Sequence, residues 1–420
     1  MFGAEEAPQD SRISVVGLGY IGLPTAVSLA EAGFQVTGVD VDPRVIEAVN
    51  GGRAHIVEPG LEEALEVVVR KGGLKATRQH VGADAFLIAV PTPVGHDQYR
   101  TPDLTYVMAA ADALASVLER GNLVILESTS PVGATREMIE RFRAARPDLT
   151  FPGAGVAEAD IDVDIAYSPE RVIPGRTMEE LRTNDRVVGG ATPRAARRAA
   201  ALYRRVTSGE LLITDDRTAE FVKLTENAFR DVNIAFANEL SMVCNDLDLN
   251  VWEVIKLANF HPRVNILQPG PGVGGHCIAV DPWFIVAQAP ERARLIRTAR
   301  EVNDSKPHWV IEQVERAIAG KDQARVACLG LTFKANVDDF RESPSLEIAQ
   351  ELTRRFPGRV VCADPYQDML RNPGELVLSD VASACAEADV VVMLVGHEQF
   401  RGLQRPDGSR VLIDACGFWQ

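Results

Sequence analysis

The chain has 420 residues, enough for two or three domains that each bury a core, and its 46% apolar and 25% charged content is that of a soluble globular protein. With 44 basic against 59 acidic residues the net charge is −15, which leaves no electrostatic footprint for nucleic acid or an anionic membrane surface. No apolar run approaches the ~18 residues of a membrane-spanning helix. Met1 to Asp10 is acidic and polar, without a signal-peptide core. Six scattered cysteines contain no CxxC, so neither a zinc site nor a disulfide framework is indicated. A reduced, cytoplasmic protein without metal is expected.

The first domain is expected over residues 11–200. Ser11–Val16 reads as a buried strand that runs into Gly17-Leu18-Gly19-Tyr20-Ile21-Gly22. A helical stretch, Leu23 to Ala32, follows, and then a strand, Phe34–Val39, that ends in Asp40, 23 residues after Gly17. Strand, glycines, helix, strand and terminal acid together form a dinucleotide-binding fingerprint. Gly17 permits the tight turn, Gly19 lets a pyrophosphate approach the backbone beside Tyr20 and Ile21, and Gly22 lets helix and strand pack closely. Asp40 would bond the adenosine ribose and repel a 2′-phosphate, so NAD is expected over NADP. The strands Ala85–Val90 and Leu123–Leu126, with a helix over Asp103–Arg120 between them, extend a doubly wound parallel sheet. Thr92, Thr129 and the turn Tyr167-Ser168-Pro169-Glu170-Arg171 follow strands and so should face the cofactor cleft. For Thr129 and Glu170, loop capping is the competing reading.

The pattern changes to long helices over residues 201–305. Thr218 to Asp246 contains no Gly or Pro, and Lys223 and Asn227 fall one turn apart on one face, either an oxyanion clamp or a solvated pair. A second long helix, Ala289 to Asn303, is expected to end near Lys306-Pro307. Between two α/β blocks, such a helix serves as spacer and dimer interface. His261-Pro262-Arg263-Val264-Asn265 precedes the loop Gly270–Pro282, whose four glycines, set before Cys277, should let the backbone approach a ligand closely, with Asp281 four residues after the thiol. A thiol beside a carboxylate on such a loop suggests covalent chemistry with a water-activating partner, and a buried structural Cys is the alternative. Residues 315–420 read as a second, smaller α/β domain. It lacks GxGxxG and carries Lys334 and Arg341, cations placed for an anionic nucleotide.

The runs GLGYIGLP (17–24), VPTP (90–93), ESTSPVG (127–133), SPER (168–171), KLTEN (223–227), the 270–282 loop, and Gly330–Lys334 with Arg341–Pro344 resemble the nucleotide-sugar 6-dehydrogenases, the UDP-glucose and UDP-N-acetylmannosamine dehydrogenases. The resemblance extends from Ile13 to near the C-terminus. The runs Arg230–Glu239 and Gly274–Phe284, with His276 where the UDP-glucose branch usually has a small residue, look most like the UDP-N-acetyl-D-mannosamine branch. The resemblance implies two Rossmann-like domains joined by a helical one, and a four-electron oxidation of a sugar CH2OH to a carboxylate with two NAD reduced. Catalysis would fall to Cys277, Lys223, Asp281, Asn227 and Glu170. NAD contacts would come from Gly17, Gly19, Tyr20, Ile21, Gly22, Asp40, Thr92, Thr129 and Arg341. UDP-sugar contacts would come from Glu170, Arg171, Lys223, Asn227, Arg263, Asn265, Gly274, His276 and Lys334. Arg263 would be supplied across a homodimer. Alternatives are the same oxidation of UDP-N-acetylglucosamine or UDP-glucose, a two-electron β-hydroxyacid dehydrogenase, and a non-catalytic NAD-binding regulator.

Overall fold

A computed structural model describes residues 11–95, 97, 100–275 and 277–420. The chain divides into two compact units, the first ending at Thr225 and the second running from Glu226 to Gln420.

The first unit opens with β1 (Arg12–Val16), α1 (Gly22–Glu31), β2 (Gln35–Val39), α2 (Pro43–Asn50), α3 (Leu61–Arg70), β3 (Leu74–Thr77) and β4 (Ala85–Ile88). It continues with α4 (Thr105–Ala115), β5 (Leu123–Leu126), α5 (Ala134–Ala145), β6 (Asp164–Tyr167), α6 (Thr177–Thr183), β7 (Arg186–Gly190), α7 (Pro193–Tyr203) and β8 (Leu211–Asp215). The strands form one sheet in the order β3-β2-β1-β4-β5-β6-β7-β8, parallel except for β6 against β7. Alternate residues of each central strand feed two cores, as the period of two in a strand requires. Val15, Leu87 and Ile125 pack with Leu23 and Val27 of α1, whereas Phe86, Ile88, Val124 and Leu126 pack with Val107, Leu114, Met138 and Phe142 of α4 and α5. The strand order reverses between β1 and β4, the crevice where such sheets take ligands.

The helix α8 (Asp216–Asp246) carries the division between the units. The second unit continues with α9 (Val251–Ala258), α10 (Asp281–Gln288) and α11 (Arg294–Ile318). Then come β9 (Val326–Leu329), α12 (Pro344–Arg355), β10 (Val360–Ala363), α13 (Val381–Ala386), β11 (Val390–Met393) and β12 (Val411–Asp414), whose four strands form a parallel sheet in the order β10-β9-β11-β12. The expected stop at Lys306-Pro307 does not occur, because α11 passes through Pro307 for three further turns. A helix-interior proline costs ~3 kcal/mol. Val310, Ile311, Val314 and Ile318 lie buried against Val326, Ile348 and Val390 beyond it, and each fully buried aliphatic contributes ~1.5–3 kcal/mol, which outweighs the proline.

The second sheet repeats a local device of the first that its sequence, without GxGxxG, does not advertise. Gly17, at φ +90°, ends β1 and donates to Val39 O at 2.8 Å, and Gly330, at φ +83°, ends β9 and donates to Ala363 O at 2.9 Å. After the adjoining strands come Asp40, which accepts Leu18 N–H at 2.9 Å, and Asp364, which accepts Leu331 N–H at 2.6 Å. A Cβ at Gly330 would stand 2.4 Å from Val395 O, whereas one at Gly320 (φ +73°) would meet nothing within 4 Å. Gly330→Ala is therefore expected to lose ~2 kcal/mol or more and Gly320→Ala about 1, the dihedral cost alone. Equal losses in urea unfolding would show that the close backbone approach does not matter.

Candidate active site

In the first unit the loop after β1 is built to receive an anion. Gly22 must lack a Cβ, which would stand 1.8 Å from Gly17 O, and Gly19 faces space with nothing within 4 Å. Ile21 caps α1 without a side-chain hydrogen bond, and no acid lies in the first turn, so the positive end of the helix is left for a ligand. Asp40 is half-buried, and its other oxygen accepts Asp42 N–H at 2.9 Å. The open cradle, the uncapped helix and the acid at the end of β2 fit NAD, whose pyrophosphate and adenosine ribose they would hold. Thr92 Oγ1 donates to Thr129 O at 2.7 Å, tying together the loops after β4 and β5. Both residues are half-buried.

Glu170 follows β6 and is buried, with one oxygen accepting Arg171 N–H at 2.7 Å and the other paired with the Arg186 guanidinium on β7. Arg186 also faces Glu127 Oε1 at 3.4 Å and lies 4.1 Å over the ring of Tyr203, whose hydroxyl donates to the same Glu127 oxygen at 2.6 Å. Burial pushes the Glu127 carboxyl up to about 7, against the opposing pull of Arg186. Sequence reading missed Arg186 and Tyr203. The available signal was a lone arginine opening the apolar run Arg186–Gly190. The side chain of Arg171 donates to Asp185 O at 3.0 Å. Lys223 on α8 is buried, and no carboxylate of the first unit pairs with it among the described residues.

In the second unit, Asp281 is the first residue of α10 and is 2% exposed. Its side chain accepts the Asn227 amide at 2.5 Å, and its backbone N–H donates to Cys277 O at 2.8 Å, so thiol and carboxylate share one turn. Cys277 is exposed, whereas Cys244, Cys328 and Cys362 are buried, so a buried structural thiol is not what this loop holds. The loop glycines depart from expectation in one respect. Cβ atoms on Gly272 and Gly274 would stand 2.8 Å from Pro344, one on Gly274 would also stand 2.4 Å from Glu342 O, and one on Gly275 would meet the Phe333 ring at 3.0 Å. Their missing side chains admit the protein's own 333–344 segment, so the close approach at these three positions is protein to protein.

That segment carries the exposed Lys334, whose carbonyl accepts Thr332 Oγ1 at 2.9 Å, and Arg341, which pairs with Asp339 through both its Nε and Nη2. Arg263 and Asn265 lie exposed on the turn after α9, which Asn259 holds through bonds to both backbone groups of Ile266. His276 lies outside the described residues.

A doubly wound sheet with an open glycine cradle and an acid at the end of its second strand defines an NAD-binding oxidoreductase. The chain belongs to the UDP-glucose/GDP-mannose dehydrogenase family: its NAD binding domain matches residues 11–207, its central domain 217–305 and its UDP binding domain 327–420. It is 54% identical over 421 residues to a UDP-N-acetyl-D-mannosamine dehydrogenase of Salmonella typhi, covering 98% of this chain and 99% of that one. It is 55% identical over 409 residues to an NDP-N-acetyl-D-galactosaminuronic acid dehydrogenase of Ralstonia nicotianae, covering 97% and 96%. The structure of the UDP-N-acetyl-mannosamine dehydrogenase Cap5O from Staphylococcus aureus matches with a TM-score of 0.84 at 41% identity, over 97% of this chain and 95% of that one. The family's UDP binding domain removes the two-electron β-hydroxyacid dehydrogenase as a reading, since that reaction has no use for it.

Asp40→Ala is expected to narrow the preference for NAD over NADP by tenfold or more, in kcat/KM measured with each cofactor. A wild-type enzyme using both equally would overturn the ribose assignment.

Proposed function

We propose that the chain oxidises UDP-N-acetyl-D-mannosamine at C6 to UDP-N-acetyl-D-mannosaminuronate. The observation that carries the chemistry is the exposed Cys277 on the same turn as the buried Asp281, itself held by Asn227. The cofactor, when bound, accepts the hydride of each oxidation. Water ordered by Asp281 takes the hydroxyl proton in the first step. Cys277 Sγ then bonds to C6 of the aldehyde, and Lys223 and Asn227 donate to the oxygen that gains charge. Loss of the second C6 hydride leaves a thioester. Water activated by Glu170 or Asp281 attacks it, the C–S bond breaks, and thiol and carboxylate are released. One CH2OH, two NAD and one water give one carboxylate, two NADH and three protons.

Lys334 serves the UDP phosphates and Arg341 the dinucleotide, Arg171 and the Gly274 backbone line the substrate, and His276 with Asn265 reads the sugar. A site built to bond the acetamido group rejects sugars lacking it, because its own polar groups would be left unpaired. A second reading, the galacto-configured sugar of the Ralstonia relative, is favoured by an equally high identity. The assay counts NADH per UDP-sugar consumed, over the manno-, galacto- and gluco-configured N-acetylhexosamines and glucose. Two NADH per sugar and the highest kcat/KM on UDP-N-acetylmannosamine are expected, with acid formation lost in Cys277→Ser. Full acid formation by that variant would sink the covalent mechanism, and greater efficiency on another sugar would sink the substrate assignment.

The working form is a homodimer in the cytoplasm, where NAD is available. No helix among the described residues is long and apolar enough to cross a membrane. Phe229, Phe236 and Val243 lie exposed on α8 at seven-residue intervals, with Leu247 one turn further on, a spacing that suits pairing with the same helix of a second copy. Arg263, exposed on the turn after α9, is the group this dimer would lend to its partner's site. Phe236→Glu should sediment as a monomer, and an unchanged dimer would remove α8 from the interface.

A further inference from the structure

Behind Glu170 the first unit buries three ionisable side chains that the reaction above does not use: Glu127, Arg186 and Tyr203. Arg186 and Glu170 are each 8% exposed, Glu127 is 2% and Tyr203 1%. Desolvating three ionisable groups beside a fourth is expensive unless the geometry is closed on all sides, and apolar residues of similar volume often do as well. Here the geometry is not closed. Glu127 Oε2 is buried without a hydrogen-bond partner, while Oε1 takes both the Tyr203 hydroxyl and the 3.4 Å contact with Arg186. One guanidinium therefore faces two carboxylates, and its closer partner is Glu170.

We propose that Arg186, backed by Glu127 and Tyr203, is a positioning residue that fixes the Glu170 carboxylate for hydrolysis of the Cys277 thioester. This rests on the role given to Glu170 above. Arg186 holds one carboxylate oxygen and the Arg171 N–H holds the other, so the group cannot swing about its last torsion. The stacked Tyr203 ring keeps the guanidinium flat against the cluster. The groups facing Glu127 are Arg186, Glu170 and Tyr203. Burial holds its proton on until about pH 7, and below that the cation is committed to Glu170. Above it, an ionised Glu127 competes for the same guanidinium.

The test compares Arg186→Met, Arg186→Lys, Glu127→Gln and Glu170→Gln by steady-state kinetics on the UDP-sugar with NAD, and by intact-protein mass during turnover. Arg186→Met should lower kcat about 10- to 100-fold with KM within about twofold, and a covalent acyl adduct should accumulate on Cys277. Arg186→Lys should restore part of kcat. Wild-type kcat is expected to fall on the alkaline side as Glu127 ionises near pH 7, and in Glu127→Gln, which keeps shape and can still meet Tyr203, that fall should be absent. A folded Arg186→Met enzyme with wild-type kcat, or one slowed without any adduct, would overturn the proposal while Glu170→Gln remained impaired. If Glu170→Gln itself neither slowed nor accumulated adduct, the role of Glu170 would fall first. Should Arg186→Met fail to fold, the Glu127→Gln profile decides: an unchanged alkaline limb rejects the proposal.

Discussion

The start of the Cys277 loop is held by one hydrogen bond, from Gly270 N–H to Oδ1 of the buried Asn238 at 2.8 Å. Asn238 on α8 is itself fixed by its amide, which donates to Asn303 Oδ1 on α11, and Asn303 in turn donates to Asp231. Arg300 closes the chain with an ion pair to Asp231 at 2.7 Å, both side chains fully buried. On the other side, Ser241 Oγ donates to Asn238 O and accepts the Lys306 ammonium, whose pKa burial lowers to about 7. A buried ion pair gains little net stability over a well-packed apolar pair, but losing one partner of it costs ~3–5 kcal/mol. The network therefore sets register: α8 and α11 are locked at one relative position, and the loop is tied to α8 at a fixed point. A glycine-rich loop without such an anchor would sample many shapes, and its thiol would have no defined position.

This network also explains part of what the sequence resembled. The run Arg230–Glu239 looked like one branch of the family, and two of its members, Asp231 and Asn238, are these buried polar residues. Their signal was legible as a pattern, but their purpose was not, since nothing in a linear sequence pairs Asp231 with Arg300 sixty-nine residues away. The β1–α1–β2 unit was legible because its chemistry is local: five-residue strands with four buried positions each, glycines where a Cβ would collide with backbone, and an acid at the strand end. Edge strands were not. β3 alternates over only the four residues Leu74–Thr77, and the apolar part of β8 is the three residues Leu211–Ile213, so both signals are too short to mark a strand. The passage of α11 through Pro307 was hidden for the opposite reason, because a strong local rule was overridden by burial further along.

The proposed site residues divide in the same way. Cys277, Asp281 and Asn227 were singled out by residue type and spacing, but the bond from Asn227 to Asp281 was not foreseen. The glycines around the thiol were read as room for a ligand, yet Gly272, Gly274 and Gly275 make room for Pro344, Glu342 and Phe333. Spacing shows that a Cβ is unwelcome but not what would meet it. Arg186 escaped because an arginine at a strand end normally signals solvent, and only the fold reveals that two carboxylates and a tyrosine ring enclose it.

A chain of net charge −15 that takes an anionic dinucleotide and an anionic UDP-sugar must defeat its own repulsion locally. It does so in two ways. On the proposed assignment the donors for the dinucleotide are backbone N–H groups at the start of α1, which carry no net charge and have no acid in the first turn to oppose them. In the UDP binding domain the available groups are full cations, Lys334 and Arg341, and the second of these is already balanced by Asp339. Acidic side chains elsewhere are matched at short range by arginines on exposed helix faces, as Glu351 is by Arg354 and Arg355, which leaves the net charge unchanged. At physiological ionic strength, charge beyond ~8 Å is screened. The binding sites therefore respond to their nearest groups and not to the total, and the net charge bears on solubility and approach rate instead. Composition excluded nucleic acid as a partner because a duplex would engage a wide face of the protein. It could not exclude a nucleotide, which engages only a loop.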